Sequence, residues 1–316
     1  MDILGTILWP IKWVIELILI SFHWLFTATG LDPAAGITWV LAIVGLVVVV
    51  RAALIPVFVR QIRSQRKMLE VAPELKKIQD KYKGKRDQFS REAMSRETMA
   101  LYKKAGTNPM SSCLPLLLQM PIFFGLFSVL NDAQSSGKAG VGLMTKALAE
   151  QFSNASLFGI APLHSSFQAA MEASPPEVAV MVIAAVMVVL MTGSQFITQL
   201  QIVSKNMSEE TKASPTFRQQ RVLLYILPLV FAFSGFTFPI GVMFYWLASN
   251  FWTMGQQFLV IRNMPSPGSP AAKQREERLA RSGKLTRPDV EIVAVEEKKP
   301  QRHQPVGKNR AKKKGR

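Results

Sequence analysis

The stretch GLVVVVRAALIPVFVR, Gly45 to Arg60, constrains the fold more than any other feature. An apolar run of membrane-spanning length carries an arginine, Arg51, in its interior. A lipid core offers no water to backbone N–H and C=O groups, so a segment that crosses it forms a helix or joins a closed barrel. A helix needs roughly 20 apolar residues to cross. Five segments meet that need: 37–60, 112–131, 177–203, 222–238 and 239–261. The last two are one run broken by SGFTFPIG, whose glycines and proline suit a tight hairpin. The expected fold class is therefore all-α: a polytopic membrane protein with a five-transmembrane-helix core.

Charge is segregated from these runs. The 316 residues are 49% hydrophobic yet carry a formal charge of +17, and soluble basic proteins rarely combine the two. Too little chain remains outside the apolar runs to build a compact nucleic-acid-binding fold, so no DNA partner is expected. With the N-terminus outside, the outer segments hold only Lys12, Lys138 and Lys146, and 34 basic residues other than Arg51 lie on the cytoplasmic side. That distribution satisfies the rule that lysine and arginine stay inside, and it places the C-terminus in the cytoplasm of a plasma-membrane protein.

Between the spans lie segments of different character. Residues 1–36 are apolar but interrupted by Pro10, Lys12, Glu16 and His23, and Trp9, Trp13 and Trp24 suit a membrane–water boundary. A helix lying in the outer interface is expected there, with a sixth span as the rival. Residues 61–111, with 13 basic and 6 acidic side chains, read as a cytoplasmic helical hairpin: Pro73 can begin a helix, Gly84 marks the turn and Gly106 follows the last lysines as a stop. The outer loop 132–176 is rich in glycine and serine, with an apolar patch at ASLFGIAPL, and the inner loop 204–221 is short and polar. Residues 262–316 form a basic tail with almost no core-forming side chains, disordered or partly helical around 273–281. Its charge suits RNA, a ribosome or anionic lipid.

The chemistry of soluble enzymes is missing. The single cysteine, Cys113, forms no internal disulfide, and His23, His164 and His303 lack metal-ligand neighbours at suitable spacing. All three histidines are expected at a surface or interface. With no nucleophile elbow, P-loop or dinucleotide fingerprint, neither an enzyme nor a cofactor is expected.

The polar residues inside the spans share a level. Counted from the cytoplasmic ends at about 1.5 Å per residue, Arg51 lies ~13 Å deep, Gln119 ~10 Å, Gln195 ~15 Å and Asn250 ~16 Å. An arginine facing lipid at such depth costs about 2.5–3.5 kcal/mol or more, and ~13 Å is a long reach for snorkelling. A wet cavity, open to the cytoplasm and shut above by apolar side chains, accommodates it.

Two long motifs, GTNPMSSCLPLLLQMPIFFGLF (106–127) and FPIGVMFYWLASNFWTMGQQFLVIR (238–262), resemble the signatures of the YidC-type membrane protein insertases, a bacterial, mitochondrial and chloroplast family. The resemblance extends over nearly all of residues 10–262. It lacks the large periplasmic domain and extra first span of Gram-negative members and the lipoprotein cysteine of many Gram-positive ones, which suits a short, actinobacterial-like form. It implies a five-span core around a hydrophilic groove open to cytoplasm and lipid. Arg51 falls at the groove arginine and Gln119 at a groove position, while Tyr245, Trp246 and Asn250 match the last-span signature; Gln195 rests on the depth count. The implied partners are nascent or newly made membrane proteins, the Sec translocon, anionic lipids and, through the tail, the ribosome. The rival reading is a small-molecule or anion transporter with Arg51 as its binding site, but no internal repeat of the kind common in such transporters is evident.

Overall fold

The structure is a computed structural model that describes residues 3–85, 87–108, 114–136, 139–209, 212, 226, 230 and 233–283. Regular structure among them is helical apart from one two-stranded hairpin. The predicted fourth span, 222–238, lies outside the described residues except at 226, 230 and 233–238, and the tail beyond 283 lies outside them entirely.

Four long helices form the bundle with α1, Ile3–Ala28: α2, Gly36–Ala53; α6, Leu114–Ser136; α9, Val178–Lys205; and α10, Ile240–Asn263. By length and composition, parts of α1 (Leu8–Ala28) and all of α2 and α9 can cross a membrane. The apolar run expected as one helix over 37–60 divides at Leu54, which caps both α2 and α3, Ile55–Glu70. Pro56, in the first turn of α3, has no N–H to give and its ring crowds the carbonyl four residues back. Arg51 is thereby left in the last turn of α2.

α3 leads into the charged hairpin with α4, Ala72–Lys81, and α5, Gln88–Lys104. Pro73 stands in the first turn of α4, Gly84 turns the chain at φ +84° and Gly106 follows α5 at φ +62°. Asp87 caps α5 by accepting the Ser90 N–H at 2.8 Å. Lys81 and the Tyr82 hydroxyl both donate to Glu97, at 2.5 and 2.8 Å, fastening α4 to α5. These bonds hold the Glu97 carboxyl below its ordinary pKa, and the bond to Glu97 holds the Lys81 ammonium above its own.

A cap of short elements covers the Gly36 end of the bundle: α7, Lys146–Asn154; β1, Ser156–Leu157; β2, Ala161–Pro162; and α8, Phe167–Glu172. β1 and β2 are antiparallel, pairing Ser156 with Pro162 and Leu157 with Ala161. A Cβ on Gly36 would lie 2.5 Å from the Ser156 carbonyl, so only glycine permits this approach. Backbone bonds from Gly241 to Leu163 O (2.9 Å) and from Ile240 to Ser165 O (3.0 Å) seat the start of α10 in the same layer. The ring of Trp39 packs edge-on against Phe152 at 5.1 Å.

α1 reaches this layer at points far apart along its length. Lys12 pairs with Asp132 near the end of α6, and eleven residues on, His23 lies against Trp39 near the start of α2. Along this stretch the helix also packs on the middle of its neighbours, Phe22 against Gly45 of α2 and Ile11 and Ile15 against Gly125 of α6. His23, expected at a surface or interface, is buried: its Nε2 is 2.9 Å from Pro33 O and its ring is 4.0 Å from that of Trp39. The short 29–35 turn folds Pro33 back over α1 and excludes solvent. α11, Pro270–Arg281, follows α10, and residues from Gln274 onward belong to a separate unit.

Candidate functional site

Helix α10 organises the polar interior. Tyr245 and Ser249 are four residues apart and share a face, as do Trp246 and Asn250. Arg51 Nη2 donates to Ser249 Oγ across the α2–α10 contact. Gln119 Nε2 on α6 donates to the Tyr245 hydroxyl at 2.6 Å, and that hydroxyl lies within electrostatic reach of Arg51. Arg51 of α2 thus meets α10 at Ser249, and α6 joins the same cluster through Gln119 and Tyr245. Asn250 turns toward α9, donating to Met191 O at 3.3 Å and Ser194 Oγ at 3.4 Å. Trp246 packs its ring on Phe123 (5.3 Å) and Phe238 (5.6 Å).

Arg51, Gln119 and Tyr245 are therefore brought together, with Asn250 on the neighbouring face of the same helix. Gln195 is half-buried beside Ser194 and makes no hydrogen bond among the described residues. Ser249 was not singled out from the sequence. The only signal for it was its place one turn after Tyr245, and serines within helices commonly bond their own backbone instead. Ser249 is nine residues, or ~13 Å, from the start of α10. The guanidinium thus reaches nearer mid-bundle than a count from Arg60 places it.

No carboxylate pairs with Arg51 among the described residues, so its charge meets only neutral dipoles. Arg51 is half-buried, and an arginine drawn out of water ordinarily gains an opposite charge, because desolvation costs several kcal/mol per ion. Gln119 Oε1 is also buried without a hydrogen-bond partner among the described residues, and buried polar atoms in folded proteins are generally satisfied. The surroundings change sharply at this level. Most residues of α2 from Gly36 to Val47 are buried, whereas those from Val48 to Ala53 are exposed or half-buried. On α10 the buried residues lie mainly between Ile240 and Tyr245, and after Ser249 none is buried before Val260.

A second polar group, on α1, sits at the capped end. The Glu16 carboxylate is 1% exposed and accepts the backbone N–H groups of Val141 (2.9 Å), Gly142 (2.7 Å) and Met144 (3.2 Å). A cavity of about 240 Å³ beside it is lined by Lys12, Glu16, Asp132 and Met144 among others. Among the described residues no group of three histidine, cysteine or acidic side chains could hold a metal ion.

Helices of spanning length, a capped end and an arginine between helices that meets no carboxylate among the described residues define an all-α polytopic membrane protein. Comparison with known proteins places it further. The chain belongs to the 60Kd inner membrane protein family, whose model matches residues 30–267. It is 47% identical to the membrane protein insertase YidC of Tropheryma whipplei over 315 residues, covering 98% of this chain and 97% of the relative. The Streptomyces avermitilis protein of the same name is 43% identical over 275 residues (85% of this chain, 61% of the relative), and that of Bifidobacterium longum is 36% identical over 297 residues (93% and 87%).

Proposed function

We infer that this chain is a membrane protein insertase of the plasma membrane, acting without enzymatic chemistry on nascent membrane proteins. The observation that carries the reading is similarity along nearly the whole of both chains to proteins of that activity. A transporter reading has no comparable support.

The mechanism follows from Arg51. A charged group held by a serine hydroxyl and neighbouring dipoles keeps its field available to a mobile anion. In a partly desolvated site that attraction is several times its value in water. The exposed and half-buried lower stretches of α2, α6, α9 and α10, with Gln119, Gln195 and Asn250 among them, would line a groove open to the cytoplasm, with Tyr245 and Trp246 at its closed end. A substrate's polar tail enters the groove, is drawn toward Arg51 and then crosses only the remaining apolar layer. Its hydrophobic helix leaves along the exposed valines and leucine of α9, from Val178 through Val182, Val186 and Leu190. Hydrophobic transfer drives the reaction, aided by the membrane potential where the tail's charge favours it.

The topology completes this reading. The N-terminus and the cap lie outside, α1 lies in the outer interface, and the charged hairpin and the basic tail lie in the cytoplasm, as the lysine and arginine distribution requires. There the hairpin and tail would meet the Sec translocon, ribosomes and anionic lipid headgroups.

Arg51→Ala should reduce insertion about tenfold or more for substrates with acidic outer tails, the equivalent of ~1.4 kcal/mol, and Arg51→Lys should retain most activity. Reconstituted insertion assays with acidic-tailed and neutral-tailed substrates check this. Equal activity of all three proteins on both substrates would remove the electrostatic role.

A further inference from the structure

The apolar patch in the outer loop is built against its own conformational preference. Phe158 has φ +54° and Gly159 φ +73°, a paired left-handed conformation at the centre of a β-turn that the Ile160 N–H closes on Leu157 O at 3.1 Å, within the three-residue loop 158–160. Glycine adopts it freely and asparagine tolerates it, whereas a bulky side chain there is strained. The fold recovers nothing from the ring: Phe158 is 78% exposed and Ile160 is 58% exposed. Their neighbours Leu157 and Ala161 are buried. The hairpin's base is fixed by the Gly36–Ser156 approach and by the Leu163 N–H bond to Ala155 O at 3.0 Å, so the tip is held as a rigid peg.

Its surroundings say what it meets. The base of the hairpin abuts the first residue of the apolar helix α2, the level at which a span leaves lipid. α1 touches the same end through His23 and Glu16 and presents Trp9, Trp13 and Trp24, all exposed. Indole rings are enriched at membrane–water boundaries. Residues 154–163 carry no charged side chain, so burying the tip strands no ion.

We propose that Phe158 and Ile160 form a membrane anchor. The two side chains enter the interfacial zone of the bilayer at the Gly36 end of α2, in one belt with the three tryptophans, and set the depth at which the cap rides. The occupant is a lipid surface, and contact is independent of headgroup charge because the tip has none. This anchor does not depend on the insertase reading.

The test uses the full chain with Cys113→Ser and Phe158→Cys, labelled with an environment-sensitive fluorophore and reconstituted in phosphatidylcholine vesicles with or without phosphatidylglycerol. A Glu172→Cys probe on α8 serves as the water-exposed control. At position 158, iodide quenching should be several-fold weaker than at 172, and nitroxide lipids labelled near the headgroup should quench more than deeply labelled ones, equally in both vesicle types. Iodide quenching equal to the control, or shielding lost on dilution to single copies per vesicle, would overturn the proposal. Phe158→Asn suits the turn better and should leave the detergent melting midpoint unchanged or higher, while weakening the shielding of a probe at Ile160→Cys. A lowered midpoint would show instead that the ring serves the fold, and would also overturn it.

Discussion

The two ends of the bundle treat their charged side chains in opposite ways. At the Gly36 end, Glu16 is buried but accepts three backbone N–H groups, and His23 is buried with a carbonyl partner at Nε2 and a tilted indole at 4.0 Å, while His23 Nδ1 and Trp39 Nε1 have no hydrogen-bond partner among the described residues. Trp39, Phe152, Leu163 and Met144 close around them without exposure. Toward the other end, among the described residues, Arg51 has a serine and no carboxylate and the Gln195 side chain has no hydrogen bond, and the helix faces are half-open. The hairpin that follows has no buried residue in α3 or α4. A close-packed end whose buried carboxylate is satisfied resists change; a half-open end whose arginine meets no counter-ion among the described residues can accept a partner. Stability and activity should therefore separate along the bundle axis.

Substitutions at the capped end sharpen that separation most. Trp39→Ala removes a fully buried indole and should lower unfolding stability by about 3–5 kcal/mol, read as a fall in the thermal midpoint in detergent. Glu16→Ala strands three amides and should cost about 3 kcal/mol by the same measure. Gly140→Ala should act in the same direction, because its Cβ would meet the Glu16 carboxylate. In each case, insertion per folded molecule should stay near that of the parent protein. A stable protein that loses insertion would break the comparison.

At the polar end the expected order reverses. Asn250→Ala should cost only about 0.6 kcal/mol, the typical strength of an interhelical hydrogen bond in a membrane, yet should slow insertion. The smallest effect belongs to the exposed hairpin. Glu97 is held below its ordinary 4.5, so its contribution is present above that value and fades as pH falls through the lower folded-state pKa. Lys81, held above 10.5, contributes below that value and loses its share as pH rises through the higher folded-state pKa. Hairpin helicity by circular dichroism should be flat across neutral pH and decline only at these extremes. A transition near neutrality would mean that the hairpin is held by something else.

What the sequence disclosed and what it hid follow the same division. Apolar runs announce helices because lipid leaves the backbone no alternative, and α2, α6, α9 and α10 correspond to four of them. Arg51 and Gln119 stood out as polar side chains in apolar runs. Ser249 did not, since a hydroxyl can bond within its own helix and only the packing of α2 on α10 assigns it to Arg51. The division of helices at Leu54 needed Pro56 to be weighed against the surrounding hydrophobic run. Burial of Glu16 depends on residues 141–144, more than a hundred positions away, and no local pattern encodes so distant a partner.

The central claim is that polar groups beside Arg51 face water from one side only. Single cysteines at Gln119, Gln195 and Asn250, in a Cys113→Ser background, can be labelled with a membrane-impermeant thiol reagent in inverted and in right-side-out vesicles. The account predicts labelling at all three positions from the cytoplasmic face and none from the outside. Protection from both faces would describe a dry, packed bundle in which Arg51 is structural, and would contradict the groove.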